Sequence, residues 1–234
     1  MIASTSTFEM FSSSHYIALL AIAIISTLTI IIGRRLNATG RTAVCKGIAL
    51  ANLLIFLFEY IRNFLICSPE HLISAELPLH FCALMALLCF IALWRGPQWA
   101  RSLVYFGVLS ASIQGLLTPA LVLDFPTTDY FLFFGSHGLL LLSALAIPLL
   151  TGWRSRFKDP IRSLLLMNAY LIVIHPINLL CNSNYGFTTA APAGSILESL
   201  HTPAPWYYLW LEIPALALFF LMYLFVKKKT QAER

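Results

Sequence analysis

Seven apolar runs, each close to the length that crosses a bilayer as a helix, constrain this chain more than any other feature. A hydrocarbon core about 30 Å thick requires roughly 20 residues at a rise of about 1.5 Å each. The runs cover about 16–33, 47–67, 77–94, 102–123, 130–153, 163–181 and 206–226. In hydrocarbon the backbone must satisfy its own hydrogen bonds, so such runs fold as helices. The expected fold class is an all-α polytopic membrane protein, a bundle of seven transmembrane helices. Composition agrees: 59% of the 234 residues are hydrophobic and 11% are charged, where a soluble domain carries about a quarter charged residues.

Charge gives the bundle a direction. Arg34, Arg35, Arg41 and Lys46 follow the first run, Arg95 and Arg101 the third, and Arg154, Arg156, Lys158 and Arg162 the fifth. Lys227, Lys228, Lys229 and Arg234 follow the seventh, and of the 15 Lys and Arg only Arg62 falls on the other side. Lys and Arg accumulate in cytoplasmic loops, so the N-terminus is expected outside and the C-terminus in the cytoplasm. The net charge of +5 is thus accounted for by topology, and no nucleic-acid partner is expected. Residues 1–15 read as a short extracytoplasmic tail, 16–226 as one membrane domain and 227–234 as a basic cytoplasmic tail. Positive charge follows the first run instead of preceding it, so the run reads as a retained anchor and not as a cleaved signal. No internal repeat is evident. The outer stretch 182–205 is the one long connection, with a short surface helix expected over 194–200. The aromatic cluster Trp206, Tyr207 and Tyr208 suits the membrane interface, and Pro205 suits a helix start.

Against this background, polar side chains stand out near the outer ends of the runs. Cys82 lies roughly 7–8 Å inside the third, His137 about 10 Å inside the fifth and Glu212 about 9 Å inside the seventh. Gln114, Asn178, Glu59 and Arg62 lie at comparable depth in the fourth, sixth and second. Ionisable groups in hydrocarbon face the bundle interior and mark function, so one shared layer is expected. Glu59 and Arg62 are three apart and could pair as a structural ion pair. Gln114 and Thr118 share a face. Asn168, His175, Asn178 and Asn182 form a stripe that could equally hydrogen-bond between helices. Cys67 and Cys181 both fall at outer helix ends, where an oxidising compartment permits a disulfide.

Cys82 carries the sharpest chemical expectation. Pro78 opens the run, placing Cys82 near a helix N-terminus, which favours the thiolate. A neighbouring His137 would serve as its base. The alternative is an inert buried cysteine and a hydrogen-bonded core histidine. His80 and Cys82, two residues apart, point to nearly opposite faces of a regular helix, so either one looks away from the site or the Pro78 region is irregular. No H-x-x-x-H, H-E-x-x-H, Gly-rich phosphate loop or G-x-S-x-G elbow is present, and neither metal nor cofactor is expected.

Taken in order, Leu77-Pro78-Leu79-His80-Phe81-Cys82, Ile113-Gln114-Gly115-Leu116-Leu117-Thr118-Pro119 and Ser136-His137-Gly138 resemble successive motifs of a known family. Asn178, the Asn184-Tyr185 pair and Pro205-Trp206-Tyr207 extend the match. The family is that of the YwaF-like bacterial integral membrane proteins, related to the eukaryotic transmembrane-protein-164 acyltransferases. The resemblance implies a seven-helix bundle in the bacterial cytoplasmic (inner) membrane and acyl transfer to a lysophospholipid. Cys82 and His137 match the proposed catalytic pair. Ala120 stands where relatives often carry an acidic residue, and Asn184-Tyr185-Gly186-Phe187 replaces a more usual Asn-Tyr-x-Tyr.

The leading expectation is a lipid acyltransferase or transacylase, with membrane phospholipid or lysophospholipid as its partner, Cys82 as nucleophile and His137 as base. The supporting set is His80, Gln114, Thr118, Asn178, Asn182, Asn184, Tyr185, Trp206, Glu59, Arg62 and Glu212, with Gln114, Asn178 or Asn184 as oxyanion donors. A non-enzymatic lipid- or small-molecule-binding or transport protein is the alternative, and a metal-dependent lipid hydrolase the next.

Overall fold

The computed structural model describes residues 6–192 and 195–228. Their long elements are all helical: α1 Ser13–Arg35, α2 Ala38–Ile66, α3 Pro69–Glu76, α4 Phe81–Trp94, α5 Gln98–Leu117, α6 Thr128–Leu150, α7 Asp159–Cys181 and α9 Tyr207–Val226, with the short α8 Ile196–Ser199 between the last two. Six of these are long and apolar enough to cross a membrane, and α3 with α4 makes a seventh span if the bent pair is counted as one. The 194–200 expectation thus reduces to one turn among the described residues.

Helix ends differ from the apolar runs wherever a cap or a proline decides. Asn37 accepts a hydrogen bond from the Gly40 N–H and starts α2 nine residues before the apolar run. The 29 residues of α2 extend about 43 Å, well beyond a hydrocarbon core. Gln98 follows Pro97 and opens α5 ahead of expectation, whereas Pro119 closes it at Leu117. Residues 118–124 instead run as irregular chain, and the backbone of the N-terminal tail pairs with them: Phe8 N–H donates to Val122 O and Asp124 N–H to Ser6 O, each at 2.9 Å.

The largest departure concerns the third span. Pro78 does not begin a helix; Leu77–His80 is a non-helical link, and the axes of α3 and α4 differ by 72°. Irregular backbone at membrane depth persists only where protein buries it or a cavity receives it, so this link marks a special place in the bundle.

Packing puts α4, α5 and α6 at the centre. α2 lies against α4 and α6, α1 against α6, and α7 against α5. Ala49, Ala92, Ala100, Ala144 and Ala146 are fully buried, which lets backbones approach closely. Met85, Cys89, Val104, Phe106, Ile147 and Phe219 fill the remaining space. The most hydrophobic windows of α7 and α9 are only 11% and 17% buried, so these two helices turn most of their surface outward, as lipid-facing helices do.

Polar clamps tie the bundle together. Asn52 on α2 donates to Ser143 Oγ on α6 at 2.9 Å. His15, fully buried near the start of α1, bonds Leu116 O through Nε2 at 2.8 Å and accepts the Phe11 N–H at Nδ1. At the other end of α6, Ser155 pairs with Val226 and Lys228 through its backbone. The start of α1 and the end of α9 therefore lie near opposite ends of α6. Cys67 and Cys181 are both free thiols, so the suggested disulfide is not formed.

Candidate active site

Cys82 is the second residue of α4. His80 precedes the helix in extended backbone and provides no side-chain cap, leaving the first N–H groups of α4 without intrahelical partners. The link that places Cys82 is held by two tyrosines. Tyr185 Oη accepts the Leu77 N–H at 3.0 Å and donates to Ile73 O at 2.8 Å, and Tyr170 Oη donates to Leu79 O at 2.7 Å. The His80 ring packs edge-on against Tyr185, with centroids 5.0 Å apart, and beside Phe187. His80 therefore faces the 182–187 loop while Cys82 packs against the bundle core. Both ideas about this pair are realised: the backbone is irregular, and one side chain looks away.

His137 arrives from the first half of α6. Its Nδ1 lies 2.9 Å from Phe133 O. A carbonyl oxygen only accepts, so Nδ1 carries the hydrogen in the neutral ring and Nε2 keeps its lone pair. The imidazole also stacks on the Phe133 ring at 4.3 Å. On its other side is Gly115 of α5, where a Cβ would stand 2.6 Å from both Cδ2 and Nε2. Only glycine permits this approach. α4 packs against α6 and against the Val108–Ser112 turn of α5, and Cys82 stands close enough to His137 and Ser112 for each to act on it electrostatically. Both Cys82 and His137 keep part of their surface accessible, whereas Cys89, two turns further along α4, is fully buried. Glu59 and Tyr60 of α2 and Tyr170 of α7 surround the pair closely enough to act on it electrostatically.

The sequence profile of the TMEM164 family matches residues 10–223. The chain belongs to the TMEM164 family. No curated protein and no solved structure matches it. The match spans every helix that contributes to the site, from Tyr60 to Tyr170, so the Cys82–His137 constellation lies within the TMEM164-family region.

The remaining expected residues of this TMEM164-family protein divide sharply. Arg62 does not pair with Glu59; it reaches Asp129 Oδ1 on α6 at 2.8 Å and also donates to Asn63 Oδ1. Asn63 in turn donates to Glu76 at 2.7 Å. Asn178 is fully engaged by the outer loop. Its amide donates to Tyr185 O and Thr188 Oγ1, both at 2.7 Å, and its oxygen accepts Ser183 Oγ and the Tyr185 N–H, both at 2.8 Å. Both amide hydrogens are committed, so Asn178 has none left for an oxyanion. Asn184 caps its own loop, accepting from Thr189 and Ala190 and donating to Ala190 O. Asn182 is the exposed left-handed residue that ends α7. Gln114 and Thr118 are exposed, and the Thr118 hydroxyl bonds back to Gln114 O. Trp206 is 62% exposed. Glu212 accepts from Asn168 at 3.0 Å and ties α9 to α7. Among the described residues, no three His, Cys, Asp or Glu side chains are grouped to hold a metal ion.

Sequence reading missed Ser112, Gly115, Phe133, Tyr60 and Tyr170 as parts of the site. Tyr170 had a signal: a hydroxyl in the middle of an apolar run needs a partner. The loop architecture makes its own prediction. Asn178→Ala removes four hydrogen bonds and orphans buried groups around Tyr185, and should cost about 2–4 kcal/mol of stability. Thermal unfolding in detergent would read this as a clearly lowered midpoint, with faster protease cleavage within 182–192. An unchanged midpoint would mean that Asn178 does not anchor the loop.

Proposed function

We propose that this TMEM164-family protein is a lipid acyltransferase or transacylase, working by a thioester on Cys82 with His137 as base. The reading is supported by a thiol in the first turn of α4 standing within electrostatic reach of a histidine whose tautomer is fixed by Phe133 O. A helix N-terminus favours the thiolate, and an adjacent imidazole accepts its proton. The thiolate attacks the carbonyl carbon of an acyl ester; a C–S bond forms and the carbonyl electron pair moves to oxygen. The unpaired N–H groups opening α4 are placed to receive that oxyanion, the role that Asn178 cannot take. Collapse breaks the ester C–O bond, and Nε2–H of His137 returns its proton to the leaving lysolipid alkoxide. In the second half, Nε2 takes the proton of an acceptor alcohol whose oxygen attacks the thioester carbonyl. The new ester forms as the C–S bond breaks and the thiolate is regenerated.

We read the protein as a single membrane domain of the bacterial cytoplasmic membrane, with the N-terminus outside and the basic tail inside. The charge distribution supports this orientation. It puts the site near the outer leaflet, at the level where phospholipid ester groups lie. The decisive experiment uses purified protein in proteoliposomes with a phospholipid labelled in one acyl chain and a panel of lysolipid acceptors. The expected result is label in the product lipid, and a hydroxylamine-labile labelled adduct on the peptide containing Cys82. Binding of lipid without transfer or adduct, across the whole panel, would replace the enzyme with a lipid-binding protein.

A further inference from the structure

Hydroxyls in membrane helices usually bond back to the carbonyl one turn earlier, which leaves no unsatisfied donor in hydrocarbon. Several hydroxyls of this bundle follow the habit. Ser102 donates to Gln98 O, Ser110 to Phe106 O, Ser143 to Leu139 O and Thr151 to Ile147 O, all within 2.6–2.8 Å. Ser112 breaks it. The residue is 2% exposed and its hydroxyl has no hydrogen-bond partner. A buried polar group left in this way requires an explanation.

The local backbone supplies half of one. Val108–Ser112 is a π-helical turn within α5, and the Val108 carbonyl, one turn before Ser112, is taken by the Ile113 N–H. Such widened turns occur inside α-helices mostly at functional sites. Two residues earlier in the same turn, Ser110 keeps its ordinary bond to Phe106 O. The irregularity therefore singles out Ser112. The other half lies across the helix interface: the turn packs against α4, and the unpartnered hydroxyl stands close enough to Cys82 to act on it electrostatically. The further polar groups within electrostatic reach of Cys82 are His137 from α6, Glu59 and Tyr60 from α2, and Tyr170 from α7. Tyr170 already donates its hydroxyl hydrogen to Leu79 O, and His137 must exchange protons with substrate.

We infer that Ser112 is a positioning residue for Cys82, donating a hydrogen bond from its hydroxyl to Sγ whenever that sulfur carries negative charge. The inference rests on the acyl-transfer reading above. The thiolate exists twice in that cycle, as the attacking nucleophile and as the group expelled from the thioester. No proton leaves Ser112 in either step. The hydroxyl holds the sulfur on its α5 side while His137 approaches from α6, so the reacting electron pair keeps one direction. A charge-assisted bond of this kind is about twice as strong as a neutral one, and an apolar replacement would leave the anion unsupported.

The test follows alkylation of the Cys82 peptide by a membrane-permeant iodoacetamide at one pH, by mass spectrometry, together with acyl-transfer kinetics. Ser112→Ala should slow alkylation at Cys82 about tenfold and lower kcat by a similar factor, with KM for the donor lipid unchanged. Ser112→Thr, which keeps the hydroxyl, should restore most of both rates. Ser110→Ala, whose hydroxyl is engaged elsewhere, should match wild type. Wild-type rates in Ser112→Ala, or an equal loss in Ser112→Thr, would overturn the inference. His137→Ala separates the two layers. Slowed alkylation in His137→Ala beside normal alkylation in Ser112→Ala removes only the role of Ser112. Normal alkylation in His137→Ala removes the reactive pair itself, and the Ser112 inference with it.

Discussion

Cys82→Ala is expected to lose acyl transfer by at least about a thousandfold while the bundle stays folded. Removing a nucleophile from a covalent mechanism costs orders of magnitude, because the remaining groups cannot form the intermediate. The structural cost is small by comparison. Cys82 is only partly buried and sits at the start of α4, outside the fully buried core around Cys89. Loss of one sulfur there should change stability by about 1 kcal/mol or less. Cys82→Ser tests a finer point, since the hydroxyl is a far weaker nucleophile than a thiolate even beside a base. It should show no hydroxylamine-labile adduct, and residual turnover should track His137. The measurement is label transfer in proteoliposomes, with thermal unfolding as the control for folding. Wild-type turnover in either variant would end the cysteine mechanism.

Gly115→Ala should be nearly as damaging, although Gly115 has no chemistry. The new methyl would stand 2.6 Å from the Nε2 edge of His137. The ring cannot simply retreat: Nδ1 is bonded to Phe133 O and its face is stacked on Phe133. Either α5 and α6 separate, or the imidazole rotates away from Cys82. A displacement of about 1 Å at a reacting group can cost on the order of a hundredfold in rate, and overpacking adds about 1–3 kcal/mol of destabilisation. Gly47→Ala is the matched control. Nothing lies within 4 Å of the Cβ position at Gly47 in α2, so alanine there should be neutral or slightly stabilising through helix propensity. Equal activity in both alanine variants would show that the Gly115–His137 contact does not govern the site.

The sequence disclosed much of this arrangement and concealed particular parts of it. Apolar run length gave the spans, because hydrocarbon thickness leaves the chain little choice. Cys82 and His137 stood out because each is a titratable side chain near the end of an apolar run, and depth follows from helix rise. Partner choice was not visible. Glu59 and Arg62 share a helix face at the right spacing, yet Arg62 turns to Asp129, which belongs to another helix. Asn178 looked like a site donor by depth alone, but the returning loop engages all of its hydrogen-bonding capacity. Ser112 was hidden because the π-helical turn that frees its hydroxyl leaves no mark in hydrophobic periodicity. His15 lay just before the first apolar run and was counted with the tail, whereas it is a fully buried tie between α1 and the end of α5.

The tyrosine-held link between α3 and α4 bears on how the chain can vary. Gly186, left-handed at φ 59, brings the loop against Tyr170, and Tyr207 and Tyr208 donate to Phe187 O and Gly186 O. Tyr185 then passes this placement to Leu77, five residues before Cys82. Surface loops ordinarily absorb insertions and deletions without harm. Here a residue added between Asn178 and Tyr185 would shift the hydroxyl that holds the start of α4. The 182–187 segment should therefore behave as a measured spacer, intolerant of any change in length even where its side chains are freely exchangeable.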